Sequence, residues 1–151
     1  MTEIQFYHLL TTPLERALPK LMEKALSANM RCVIRVDSEA MMNRLNDVLW
    51  TYQERSFLPH GSVKDKHAEQ QPIYITYRDE NPNSATLLVI TDGSQLENPE
   101  PYAKVLDIFN GHDDAAVSNA RSRWKHYQST DHKLTYIKQQ DGGGWKNMAA
   151  A

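Results

Sequence analysis

Apolar residues gather along the chain in blocks of two kinds, dense runs and spaced stripes. Residues 4–10, with Ile4, Phe6, Tyr7, Leu9 and Leu10, form a dense aromatic and branched run that predicts a strand. After a break at Thr11-Thr12-Pro13, Leu14, Ala17, Leu18, Leu21, Met22, Ala25 and Leu26 recur at three- and four-residue steps. That spacing predicts a helix with one face on a core. Thr12 is placed to cap this helix and Pro13 to fill its first position. Pro19 either kinks the helix or delays its start, because proline has no N–H and crowds the preceding turn.

Residues 31–36 predict a second strand, ended by Asp37-Ser38-Glu39. Ser38 can cap the next helix, whose stripe of Ala40, Met41, Leu45, Val48 and Leu49 ends near Trp50. Residues 56–71 turn polar without a period, which predicts a loop long enough to carry function. Strands are predicted over 73–77, 86–90 and 103–109, a last helix over 113–127, and a short apolar piece over 134–137. Strand and helix alternate as in a parallel sheet with crossovers. The fold class expected is α/β: one three-layer α/β/α domain over 1–138 with a mainly parallel, Rossmann-like sheet. Gly142-Gly143-Gly144 predicts a flexible C-terminal tail over 139–151.

Composition narrows the function more than the fold. The chain has 151 residues, 40% of them hydrophobic and 24% charged, enough for one domain with a sizeable core. Seventeen Lys and Arg face 19 Asp and Glu, a formal charge of −2, which argues against a general binder of nucleic acid or membrane surfaces. Apolar runs fall far short of the ~20 residues that span a bilayer, and no basic-then-apolar leader opens the chain. A cytoplasmic protein is expected. The single cysteine, Cys32, excludes an internal disulfide and suits a reducing compartment.

A doubly wound sheet invites a nucleotide, yet the first strand runs into Leu10-Thr11-Thr12-Pro13 with no glycine to form a phosphate loop. The six histidines are scattered without the four-residue helical spacing of a metal pair, and a lone thiol in an interior strand is usually inert. Asp113-Asp114 are explained by the positive end of a helix dipole. No cofactor, metal or catalytic group is expected. Residue patterns alone thus reach a globular α/β domain without an activity.

One block carries more. Arg44-Leu45-Asn46-Asp47-Val48-Leu49-Trp50, followed by Ser56-Phe57-Leu58-Pro59-His60-Gly61, resembles the chi subunits of bacterial DNA polymerase III, in which an R-L…L-W helix precedes an S-F-[IVL]-P-H loop. Phe6-Tyr7-His8-Leu9-Leu10 is similar to that family's first strand, and Arg121-Ser122-Arg123-Trp124-Lys125-His126-Tyr127 to its R-x-R-Y-K-x-Y motif. The resemblance implies a non-catalytic accessory subunit of the clamp loader that pairs with the psi subunit and binds the acidic C-terminal tail of the single-stranded DNA-binding protein. A helicase is a further candidate partner through the same aromatic face, and little direct DNA binding is implied.

Two patches fit those contacts. Trp50, Phe57, Leu58, Pro59 and His60 put large apolar surface at a helix end and in a polar loop, either as anchors for psi or as a lid over the core. From 121 to 138 the chain carries Arg121, Arg123, Lys125, Lys133 and Lys138 against Asp131 alone. Arg121 and Lys125 share a helical face with Trp124 close by, so cations and an aromatic plane can share a groove for a terminal carboxylate and its apolar side chain. The bland alternative is a solvated basic face near a helix C-terminus. Phe109 is the candidate apolar wall, and Val117 lies one turn before Arg121, where some relatives carry lysine. Trp124 replaces the family's tyrosine. Two other functions remain in view: a small nucleotide-dependent enzyme, and direct DNA binding through residues 121–138.

Overall fold

The computed structural model describes residues 2–51, 60–64, 67–91, 99 and 102–150, without the side chains of 149 and 150. Eight strands form one sheet: β1 Glu3–Leu9, β2 Cys32–Arg35, β3 Gly61–Ser62, β4 Ile73–Thr76, β5 Leu87–Thr91, β6 Lys104–Asn110, β7 Lys133–Gln139 and β8 Trp145–Ala150. Their spatial order is β3-β4-β2-β5-β6-β1-β7-β8, and every pairing is parallel except β7 with β8. Helices α1 (Leu14–Ser27), α2 (Glu39–Thr51) and α3 (Asp114–Gln128), with a short 3-10 helix over Ala68–Gln70, complete the described elements.

The dense runs of the sequence are strands covered on both faces. Cys32, Ile34, Ile73, Ile75, Leu87, Val89, Leu106 and Ile108 point to the core under α1 and α2, where Leu18, Met22, Met42, Leu45 and Leu49 meet them. Ile4, Phe6, Val33, Leu88, Val105 and Phe109 alternate with them and face the opposite layer, with Ala120 and Tyr127 of α3. This two-residue alternation within continuous apolar strands is what a parallel sheet between helical layers requires. The three-layer α/β/α expectation matches the fold.

Local punctuation differs in three places. Helix α1 starts at Leu14 and passes through Pro19, which is buried on its inner face and has no N–H to offer the Glu15 carbonyl. Thr12 does not cap it: the amides of Arg16 and Ala17 donate to the Pro13 carbonyl, and the Thr12 hydroxyl accepts from Gln139 Nε2 at 2.6 Å. Residues 139–151, expected as a flexible tail, instead carry β8. The glycines make a hairpin turn in which Gln140 N–H donates to the Gly144 carbonyl at 2.7 Å and Gly143 takes φ 88°. Trp145 then packs edge-on to Tyr7 at 5.1 Å, so apolar burial holds the returning strand. Ser38 does cap α2, accepting from Met41 N–H at 3.2 Å.

Helix α3 is capped by Asp113, which accepts from Ala115 and Ala116 N–H, and is tied to the sheet by a buried ion pair. Arg123 donates from Nε and Nη2 to the two carboxylate oxygens of Asp107 on β6, at 2.6 and 2.9 Å. The Asp107 side chain is 2% exposed. Burial pushes its carboxyl upward while the Arg123 guanidinium pulls it down. Arg123 therefore leaves the basic surface in which the sequence counts it. Removing it strands a buried carboxylate, and Arg123→Ala is expected to lower unfolding free energy by ~3–5 kcal/mol in urea titrations, with Asp107→Leu in the same chain recovering part of that loss.

Candidate functional site: an aromatic cavity beside helix α3

Val117, Ala120, Arg121, Trp124 and Gln128 lie three, four, seven and eleven residues apart from the first, a single stripe of α3. They face Phe6 of β1, Phe109 of β6, Tyr136 of β7 and Met148 of β8 across a cavity of about 450 Å³. Its size falls within the range of small-ligand pockets, roughly 300–1,000 Å³. Small Ala120, 3% exposed, lets the helix approach the sheet, while the larger neighbours frame the opening.

The walls brace one another. Phe6 meets Trp124 edge-on at 5.3 Å, and Trp124 meets Tyr136 edge-on at 6.0 Å, both favourable aromatic geometries. Behind them stands His8. Its ring is 4.8 Å from Phe109, and its Nδ1 is hydrogen-bonded to the Tyr136 hydroxyl. Gly111 makes room for it, since a β-carbon there would fall 2.2 Å from His8 Nε2 and 2.5 Å from the Leu9 carbonyl oxygen. Burial lowers the His8 pKa below the ordinary 6.5, helped by Lys138, Arg121 and His112. The Tyr136 hydroxyl is pushed up by burial and drawn back by Arg121, so this cation acts on the cavity interior as well as its rim.

Four of the five residues expected in a tail-binding groove, Phe109, Val117, Arg121 and Trp124, thus come together. Lys125 sits one turn beyond Arg121, exposed, and does not line the cavity. Sequence reasoning missed Phe6, Ala120, Gln128, Tyr136 and Met148. The α3 stripe gives Ala120 and Gln128 by extension from Val117. Tyr136 and Met148 depend on the hairpin, which the glycine run concealed.

The second patch is partly described. Trp50 at the end of α2 is 51% exposed, and its ring lies 4.8 Å from that of His60, which is buried. Phe57, Leu58 and Pro59 lie outside the described residues.

The junction after β1, where a doubly wound fold meets a phosphate, is filled from within. Leu10, Thr11 and Thr12 N–H all donate to Gln139 Oε1, at 3.0, 2.8 and 3.0 Å. Gln139 is 3% exposed, so its amide acts as a built-in acceptor for three successive donors that would otherwise form an anion nest. Among the described residues no group of three His, Cys, Asp or Glu side chains is placed to hold a metal, and no helix is long and apolar enough to cross a membrane.

These features define a class: a doubly wound α/β domain with an aromatic cavity edged by arginine, and a side-chain amide where a phosphate loop would stand. Residues 1–135 match the family model of the DNA polymerase III chi subunit, HolC. The chain is 37% identical over 108 residues to the probable DNA polymerase III subunit chi of Rickettsia prowazekii (strain Madrid E), an overlap covering 70% of this chain and 66%, just under two thirds, of that relative. The chain belongs to the DNA polymerase III chi subunit family, a family of replication accessory subunits.

The low pKa of folded His8 has a signed consequence. As pH falls through about 6.5 the unfolded chain takes up protons that the folded ring resists, so stability held by neutral His8 is present above that pH and lost below it. Urea titrations at several pH values are expected to show wild-type stability dropping from about pH 7.5 to about 5.5 more steeply than that of His8→Gln.

Proposed function

We propose that this chi-family chain is a non-catalytic connector of the DNA polymerase III holoenzyme. It ties the clamp loader, through psi, to the acidic C-terminal tail of the single-stranded DNA-binding protein. The observation that carries this reading is the cavity, with apolar walls on four strands and a helix and an exposed arginine at its lip. A peptide ending in an apolar residue presents two groups that need different surroundings. Its last side chain gains ~1.5–3 kcal/mol by leaving water. Its terminal carboxylate needs a charge-assisted partner, and a guanidinium can hold both oxygens. Arg121 and Trp124 stand three residues apart on α3, so one ligand end can reach both. Lys125 and Lys138 extend the positive field over which acidic residues upstream of the terminus would lie.

The psi contact is assigned to the opposite end of the sheet order from the cavity. Exposed Trp50, its ring tilted against that of His60, is the described part of that surface, and Phe57, Leu58 and Pro59 complete it in the sequence. Large aromatic anchors at a helix end suit an interface hot spot. A nucleotide-dependent enzyme is the weaker reading, because the amides that would meet a phosphate already bind Gln139.

Two measurements test the connector. In a titration with an acidic peptide ending in an apolar residue, Arg121→Ala with Lys125→Ala is expected to lower affinity at least ~10-fold, since a charge-assisted hydrogen bond contributes about 1.5–3 kcal/mol. Binding by the unaltered chain should weaken as salt is raised. Unchanged affinity in the double variant would remove the site assignment. On co-expression with psi, size-exclusion chromatography is expected to give a heterodimer that Phe57→Ala dissociates while peptide binding persists.

A further inference from the structure

We propose that a second cavity, on the face of the sheet opposite α3, binds a nucleotide unit, with its phosphate clasped by Arg16 and Lys20 and its base laid on Trp145. The site is separate from the tail-binding cavity and shares no residue with it. It also uses side chains of α1, not the amides that Gln139 occupies. The first turns of α1, the end of α2 and the β7–β8 turn line this cavity, which measures about 660 Å³.

Its charge is unbalanced. Glu15 is the only acid on its wall among the described residues, and Arg44 holds it at 3.0 Å. Arg16 and Lys20 are exposed and enter no ion pair among the described residues. Four residues apart on one face of α1, their β-carbons lie about 5–6 Å from each other, so two long side chains can close on one phosphate. The Thr12 hydroxyl accepts from Gln139 Nε2 at 2.6 Å and keeps its own proton for a phosphate oxygen.

The turn leaves room for an occupant. Gly143 needs glycine for its φ of 88°. Gly142 has no such φ, and a β-carbon on it would meet nothing within 4 Å. Neither backbone conformation nor internal packing therefore asks for glycine at 142. A larger side chain at this lining position would instead take up space in the cavity.

Trp145 supplies the flat surface. Half-buried at the start of β8, it is braced edge-on by Tyr7 and lines the same cavity as the two cations. Single-stranded nucleic acid is held by this combination, in which cations follow phosphates and each base lays its face on an aromatic ring. A nucleotide uses both groups at once, which a bare anion does not. Free nucleotides and single-stranded DNA offer the same chemistry, and competition separates these two sources.

The test uses the full chain at low salt and a fluorescent oligothymidylate of about eight nucleotides, with affinity read by anisotropy. The unaltered chain is expected to bind the strand, more weakly as salt is raised. Arg16→Gln with Lys20→Gln, and separately Gly142→Leu, should each lower affinity at least about fivefold, Gly142→Leu without moving the urea midpoint. Lys24→Gln with Lys133→Gln removes the same charge outside the cavity and should change affinity less than about twofold. Displacement of the strand by thymidine monophosphate, but not by thymidine or inorganic phosphate, would support a site that accepts free nucleotides. Binding that thymidine monophosphate leaves intact, while both cavity variants weaken it, would support single-stranded DNA as the ligand. Inorganic phosphate displacing the strand as well as thymidine monophosphate does would take the base out of the site and overturn the proposal. Strand binding that survives both cavity variants would overturn it too, as would no binding of strand or nucleotide by the unaltered chain.

Discussion

The ion pair between Asp107 and Arg123 sets the rotation of α3, and the cavity follows from that rotation. Arg121 and Arg123 are two residues apart, nearly opposite on a helix of 3.6 residues per turn. With Arg123 drawn inward to a carboxylate that is almost wholly buried, Arg121 must project outward beside Val117 and Trp124. The arginine that resembles its neighbour in sequence is thus structural, and the other is free for a ligand. A bidentate pair has a fixed geometry that an apolar contact lacks, which suits it to hold one rotation among several that would bury Ala120 and Tyr127 almost as well.

The same division between internal and external use recurs at the carboxyl end of β1. A doubly wound sheet converges backbone donors there, and in many such folds they meet a phosphate. Here Gln139 supplies the acceptor, and its own amide nitrogen reaches Thr12. The hairpin that carries Gln139 also carries Tyr136 on one strand and Met148 on the next. Closing the phosphate position and walling the aromatic cavity are therefore two consequences of one C-terminal element. The fold keeps the architecture of a nucleotide-binding sheet, while its aromatic cavity lies between α3 and strands β1, β6, β7 and β8.

Much of this was legible in the residue pattern. Continuous apolar runs marked the parallel strands, because burial on both faces leaves no polar alternation to confuse them. The stripe from Leu14 to Leu26, the cap at Ser38 and the acidic pair Asp113-Asp114 marked the helices. Phe109, Val117, Arg121 and Trp124 were found because α3 sets most of them at helical spacing. What escaped depended on contacts distant in sequence. Thr12 looks like a cap until Gln139, 127 residues away, takes its hydroxyl. Three successive glycines look like part of a flexible tail until Trp145 finds Tyr7 and the run becomes a turn. Arg123 looks like surface charge until Asp107, one residue in a strand of apolar neighbours, claims it. Local spacing carries no trace of such partners.

The central claim, that the cavity beside α3 receives the acidic tail, is tested most directly by following backbone amide resonances of the labelled chain as the peptide is added. The account predicts that the amides of Phe109, Val117, Arg121, Trp124 and Tyr136 shift together and saturate at one concentration, while those of Leu10 to Thr12 stay fixed. Shifts centred on Leu10 to Thr12, with α3 unmoved, would contradict it.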